Sequence, residues 1–342
     1  MSQYADSTYP GGPVPQKSKI KGWAVALIVI GSLILLGIMS LALLIAFIAF
    51  SRPSSDAAYN GTDGYVAILH IEGTITSASP SSSLLSGEST YNHSFLMSSV
   101  DSLMDDPDNK GIMLFIDTPG GEVYATDELY LKLEDYKETT GRPIYSYCAS
   151  MAASGGYYLA SASDKIFMNR NCMTGSIGVT AGTFIDISGF LEKQGIKTTS
   201  IYVGKNKTMG SYFEGFTDEQ KLIYTGILQE TYDQFVQVVA DGRGMAVADV
   251  EALADGRIYS PKQAVANGLV DEIMSYDDAR TAMLTDEGLA VGTQFVDYYP
   301  DAASSLSDIL GIFAELKKGD LDSYLSHLDM PVDGPAYYYE GM

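Results

Sequence analysis

The sequence predicts an α/β domain with a mostly parallel sheet and crossover helices, preceded by one N-terminal transmembrane helix. Three observations carry that expectation. Between residues 64 and 280, short apolar runs alternate with longer helical stretches, the rhythm of strands joined by crossover connections. The first run, Tyr65-Val-Ala-Ile-Leu-His-Ile71, is apolar almost throughout, which suits a strand covered on both faces. Finally, Gly22 to Ser51 contains no charged residue.

Residues 1–16 are rich in Tyr, Pro, Gly, Ser and Gln without apolar periodicity, so residues 1–21 are expected to be a disordered cytoplasmic tail. Trp23 to Phe50 follows, 28 residues that would span about 42 Å as a helix, more than a bilayer core of roughly 30 Å. A cleaved signal peptide would have a shorter apolar core and a small-x-small site after it, so a retained anchor over 22–51 is the favoured reading. Lys17, Lys19 and Lys21 precede the span and only Arg52 follows closely, which keeps the N-terminus in the cytoplasm and puts the remainder outside the cell membrane. Residues 1–50 carry a net charge of +2, leaving −24 for the rest against −22 for the whole chain. Such a domain repels nucleic acid and anionic headgroups.

Residues 52–63 read as a polar linker and 76–93 as a Ser-rich surface loop. A helix is expected over about 94–105, a strand over 111–116, a helix over 122–139 and a strand over 143–149. Strands at 165–168 and 176–179 and a helix near 183–194 precede a strand at 198–203. Thr217-Asp-Glu-Gln220 is a capping box for a helix to about 241, with Ile227, Leu228, Tyr232, Phe235 and Val239 on one face. Ser260-Pro261 caps a shorter helix, and 268–272 returns to a strand. The domain is bounded at about 280. Residues 281–342 form an extension of weak pattern, ending in the Tyr-rich stretch Pro335-Ala-Tyr-Tyr-Tyr-Glu340.

Ser154, in Met151-Ala-Ala-Ser-Gly-Gly-Tyr-Tyr158, sits where a strand hands over to a helix. The free N–H groups of a helix start favour negative charge, which suits a nucleophilic serine; an ordinary N-cap is the alternative. Asp117-Thr-Pro-Gly-Gly121 also follows a strand end, where sites form in parallel sheets. The N–H groups of Gly121 and Gly155 are therefore candidates for an oxyanion hole, against the alternative of a plain tight turn. A serine nucleophile needs a base. His70 falls in mid-strand, His93 closes a loop and His327 lies in the weakly patterned C-terminal region, so none is well placed. Lys205 and Lys207 follow a predicted strand on a Gly-containing loop, and burial makes a lysine a usable base; solvated surface lysines are the alternative. Cys148 and Cys172 sit in apolar context and read as buried free thiols rather than a bridge. No Cys/His cluster suggests a metal, and no cofactor is expected.

Together, Asp117-Thr-Pro-Gly-Gly121, Met151-Ala-Ala-Ser-Gly-Gly-Tyr-Tyr158, Thr174-Gly-Ser-Ile-Gly-Val179 and Gly204-Lys-x-Lys-x-x-Gly-Ser211 resemble the signal peptide peptidase A family, in its short, single-unit form. The resemblance covers roughly residues 64–280. It implies a fold of the Clp protease/crotonase type and a Ser/Lys dyad, with Ser154 as nucleophile, Lys207 as general base (Lys205 the runner-up) and Ser176 positioning the lysine amine. It also implies peptide substrates, remnant signal peptides among them, and a ring-like homo-oligomer whose neighbouring subunits complete each site. Thr118 stands where such proteins commonly have Ser, Tyr212 where Pro is usual and Thr208 where Asp or Ser is common. Residues 331–342 read as an extended strand, one that either frays, packs at an edge or lies in an active-site groove.

Overall fold

The computed structural model describes residues 64–78 and 91–300, the backbone of 336–338, and the helical residues 36, 39 and 40. The chain divides into a unit of residues 1–53 and a unit of residues 54–342. The expected membrane span lies outside the described residues apart from Leu36, Met39 and Ser40. Among the described residues no helix is long and apolar enough to cross a membrane.

In the larger unit, β1 (Tyr65–Glu72) is followed by α1 (His93–Asp105), β2 (Asn109–Thr118), β3 (Gly120–Glu122), α2 (Val123–Thr140), β4 (Ile144–Ala153) and α3 (Gly155–Ala160). Then come β5 (Lys165–Met168), β6 (Met173–Gly175), α4 (Ser188–Lys193), α5 (Asp218–Arg243), α6 (Val247–Glu251), β7 (Ile258–Tyr259) and α7 (Pro261–Ala266). The chain continues through β8 (Glu272–Ile273), α8 (Tyr276–Asp286) and β9 (Gln294–Tyr298), and β10 (Ala336–Tyr338) lies in the tail.

The main sheet runs β7-β6-β4-β2-β1-β9, with β5 pairing β4 and β8 pairing β5. All its pairings are parallel except β6 with β7. Apolar strands follow from burial on both faces. Ala67, Leu69, Ile71, Ile112, Leu114 and Ile116 join a core shared with Leu129, Leu133 and Phe235 of the helices. Val66, Ile68 and Met113 project the other way, into a cluster with Ala279 and Met283 of α8. Each of the Val, Leu, Ile, Phe and Met side chains among them contributes roughly 1.5–3 kcal/mol when fully buried.

The capping boxes at Thr217 and Ser260 both form, opening α5 and α7. Helix α5 keeps Phe235 and Val239 buried, but Ile227 is exposed, because the first half of the helix stands away from the core. Three predicted strands differ; the one expected at 268–272 forms only as the two-residue β8, Glu272–Ile273. The strand expected at 176–179 forms instead as β6 and stops at Gly175, because Ser176 takes a left-handed φ of 50°. Residues 198–203 form no strand, and Ile201 and Val203 are each 96% exposed. A strand needs a neighbour to satisfy its backbone, and among the described residues none lies alongside this one. Beyond residue 280, α8 packs on the sheet and β9 becomes its edge strand, beside β1.

Candidate active site

Strand β4 changes partner along its length, and that change aims Ser154. Tyr145–Cys148 pair with β5, whereas Met151–Ala153 pair with β6. Against β2 the register advances by two residues, from Ile116 to Thr118, while β4 advances from Cys148 to Ala152. The extra residues make a bulge, a device that re-aims a strand near a site. Asp117 supports it: its Oδ1 accepts the Met151 N–H at 3.0 Å.

Past the bulge the strand ends abruptly at Ser154, with φ 54° and ψ −116°. A non-glycine residue there costs on the order of 1–3 kcal/mol. The conformation persists because both neighbours hold it. Ser154 N–H donates to Gly175 O at 2.8 Å, and Ser154 O accepts from the N–H groups of Tyr157 and Tyr158, each at 2.9 Å. Ser154 thus caps α3 through its backbone, without a side-chain cap bond. Its Oγ is buried and has no hydrogen-bond partner among the described residues. The serine is presented, not employed as a cap. The Gly155 N–H, first in the helix, has no intrahelical acceptor.

Gly121 lies in β3, against a segment that sequence reasoning passed over. Ile75 N–H donates to Gly120 O and Glu122 N–H donates to Ile75 O, both at 2.9 Å. Successive backbone groups of a strand point to opposite edges, so the Gly121 N–H and C=O face away from Ile75. Only glycine fits this close approach, because a Cβ on Gly121 would lie 1.9 Å from Ile75 O. The edge it faces is taken by β10, which pairs antiparallel with Tyr337 opposite Gly121. Ser176, at φ 50°, follows β6 directly, and its N–H is held by Arg257 O at 2.8 Å. Because Ala153 pairs with Gly175, Ser154 and Ser176 stand at the ends of adjacent strands.

The structure therefore brings Ser154, Gly155 and Ser176 to one end of the sheet, with Gly121 in β3, just past the end of β2. It does not bring a lysine to Ser154. Lys205 pairs with Glu219, and Lys207 is exposed, with no side-chain bond among the described residues. Neither histidine in the described residues reaches Ser154: His70 pairs with Asp297 at 2.8 Å, and His93 bonds Tyr91 Oη at 2.8 Å and Glu128 at 2.7 Å. His327 lies outside the described residues. Cys148 and Cys172 are free and buried; burial pushes the Cys172 thiol up to about 12, too high for a nucleophile at neutral pH.

The structure thus sets a strained, buried serine at a strand end, beside the backbone amides of a helix start. Peptidase family S49 matches residues 137–290, a stretch holding Ser154, Ser176, Lys205 and Lys207. The putative signal peptide peptidase SppA of Enterococcus faecium is 34% identical over 80% of this chain and 80% of its own. Protease 4 of Haemophilus influenzae is 27% identical over 78% of this chain and 42% of its own. The capsid assembly protease C of Escherichia phage lambda is 30% identical over 68% of this chain and 51% of its own. This chain is a serine-type peptidase and belongs to the signal peptide peptidase A family.

Proposed function

We propose that the protein is a membrane-anchored endopeptidase of Clp protease/crotonase type that degrades remnant signal peptides and other unfolded apolar peptides. The observation that carries this is the backbone of Ser154, which holds an unpartnered hydroxyl at the start of α3. Ser154 Oγ attacks the peptide carbonyl, its proton passing to a neutral Lys207 amine. The developing oxyanion is met by the N–H groups of Gly121 and Gly155. The lysine returns the proton to the leaving amine, and water then hydrolyses the acyl-serine. Ser176 holds the lysine amine in line. The anchor at residues 22–51 keeps the catalytic domain on the outer face of the membrane, near substrates released into the bilayer.

Lys207 comes from a neighbouring subunit of a ring in this proposal. Two observations favour that. The Lys207 side chain has no hydrogen-bond or ion-pair partner in its own chain among the described residues. The segment carrying it also exposes Ile185, Phe190, Ile201, Val203, Tyr212 and Phe213 to water, an apolar surface typical of an interface. The pairing of β10 with β3 supports a reading in which an extended substrate peptide takes the same edge. Its register sets Tyr337 opposite Gly121, so the tail competes with substrate for that edge.

Mixing two inactive variants is the test. Ser154→Ala and Lys207→Ala should each lose turnover of a fluorogenic peptide, and co-expressing them should restore part of it through mixed sites. A mixture as inactive as its components refutes the shared site. Lys207→Ala with wild-type turnover refutes the lysine base.

A further inference from the structure

We propose that Thr118 is a positioning residue that sets the two halves of the oxyanion hole against each other. The inference rests on the reading of Ser154, Gly121 and Gly155 given above. Thr118 ends β2 and is 1% exposed. Its side chain does two separate things. The hydroxyl donates to Gly73 O at 2.5 Å and accepts the Gly120 N–H at 3.0 Å. It thereby ties the turn that carries Gly121 to the Gly73–Ile75 segment, whose other bonds to that turn are all backbone: Gly73 N–H to Asp117 O at 3.1 Å, and the two bonds of Ile75.

The methyl faces the other half. A Cβ built on Gly156 would lie 2.6 Å from Thr118 Cγ2, so the methyl rests against the backbone of the first turn of α3, next to Gly155. One buried side chain thus touches the neighbour of each proposed donor, through its hydroxyl on one side and its methyl on the other. The spacing between the donors decides how well they meet an oxyanion, and a misplacement on the order of 1 Å costs about a hundredfold in rate. Serine keeps the hydroxyl and gives up the methyl; valine does the reverse at nearly the same volume. The two jobs can therefore be separated.

The test is steady-state cleavage of a fluorogenic peptide by the full-length chain, with labelling by an active-site serine probe alongside. Thr118→Val should lower kcat by roughly ten- to a hundredfold while KM stays within about twofold, because the donors act on the transition state. Thr118→Ser keeps the hydroxyl bonds but gives up the methyl contact, so it should lower kcat by a smaller factor, roughly three- to tenfold. Gly156→Ala should lower kcat by crowding the methyl, and Thr118→Ser should recover part of that loss in the double variant. Wild-type kcat in Thr118→Val, or a loss of kcat matched by an equal rise in KM, overturns the proposal. Should Thr118→Val fail to fold, the Gly156→Ala cycle decides, and strict additivity overturns it. Ser154→Ala separates this from the parent reading: turnover or labelling that survives it refutes Ser154 as nucleophile.

Discussion

Replacing His70 by Gln separates a structural histidine from a catalytic one. His70 lies in β1, with Nε2 2.8 Å from Asp297 on the edge strand β9 and Nδ1 3.4 Å from Glu72 on its own strand. Its ring stacks on Tyr299 at 4.5 Å and lies 5.2 Å from that of Phe115. Burial opposes the charged form, but the bond to Asp297 and the nearby Glu72 carboxylate outweigh it and lift the pKa to about 9. An unfolded chain would hold it near 6.5. A histidine with a raised folded-state pKa stabilises fully below about pH 6.5, and that contribution is lost as pH climbs through 9. The gap corresponds to about 3 kcal/mol. The Asp297 side chain is 44% exposed, so solvent screening leaves roughly 1–2 kcal/mol. Urea denaturation at a series of pH values should show wild type losing that amount between pH 6.5 and 9.5 relative to His70→Gln, which lacks this titration. Turnover of the folded variant should stay within about twofold. Identical pH slopes in the two proteins refute the ion-pair account. A folded His70→Gln that no longer labels at Ser154 refutes the assignment of a lysine base.

Two further outcomes follow from the same geometry. Gly121→Ala must move β3 or Ile75 to relieve a 1.9 Å overlap, so kcat should fall by about a hundredfold or more, with thermal unfolding measured in parallel to confirm the fold. Truncation after Asp329 removes β10 from the edge that Gly121 faces. Turnover of a short peptide should therefore rise at unchanged oligomeric state; unchanged turnover means that the tail packs there without competing.

The fold was legible wherever a residue pattern has a local cause. The capping boxes at Thr217 and Ser260, and the apolar strands β1, β2 and β5, depend on near neighbours or on burial over both faces. Residues 198–203 misled because β-branched, apolar composition reports burial against something, not pairing within the same chain; Ile201 and Val203 stay exposed there. Strand β9 was missed because only three of its five residues are apolar and its pairing partner lies more than 200 residues earlier. At the site, the Ser-Gly-Gly and Pro-Gly-Gly runs announced unusual backbone, and both are used. The roles of Ile75, Asp117 and Thr118 were hidden, since each acts through a contact between segments distant in sequence. The only sequence sign of Ile75 was a glycine, Gly73, just past the end of a strand.

The backbone of Ser154 has a consequence for how such a chain can change over generations. Its φ and ψ match the first central position of a type II′ turn, where glycine is the natural occupant. A mutation of Ser154 to glycine would relieve strain on the order of 1–3 kcal/mol while discarding the proposed nucleophile. Loss of chemistry at this position is thus downhill in stability, and a lineage freed from selection for cleavage would be expected to drift there and gain robustness as it does. Serine stands at this position against the preference of its own backbone, as the proposed nucleophile would have to.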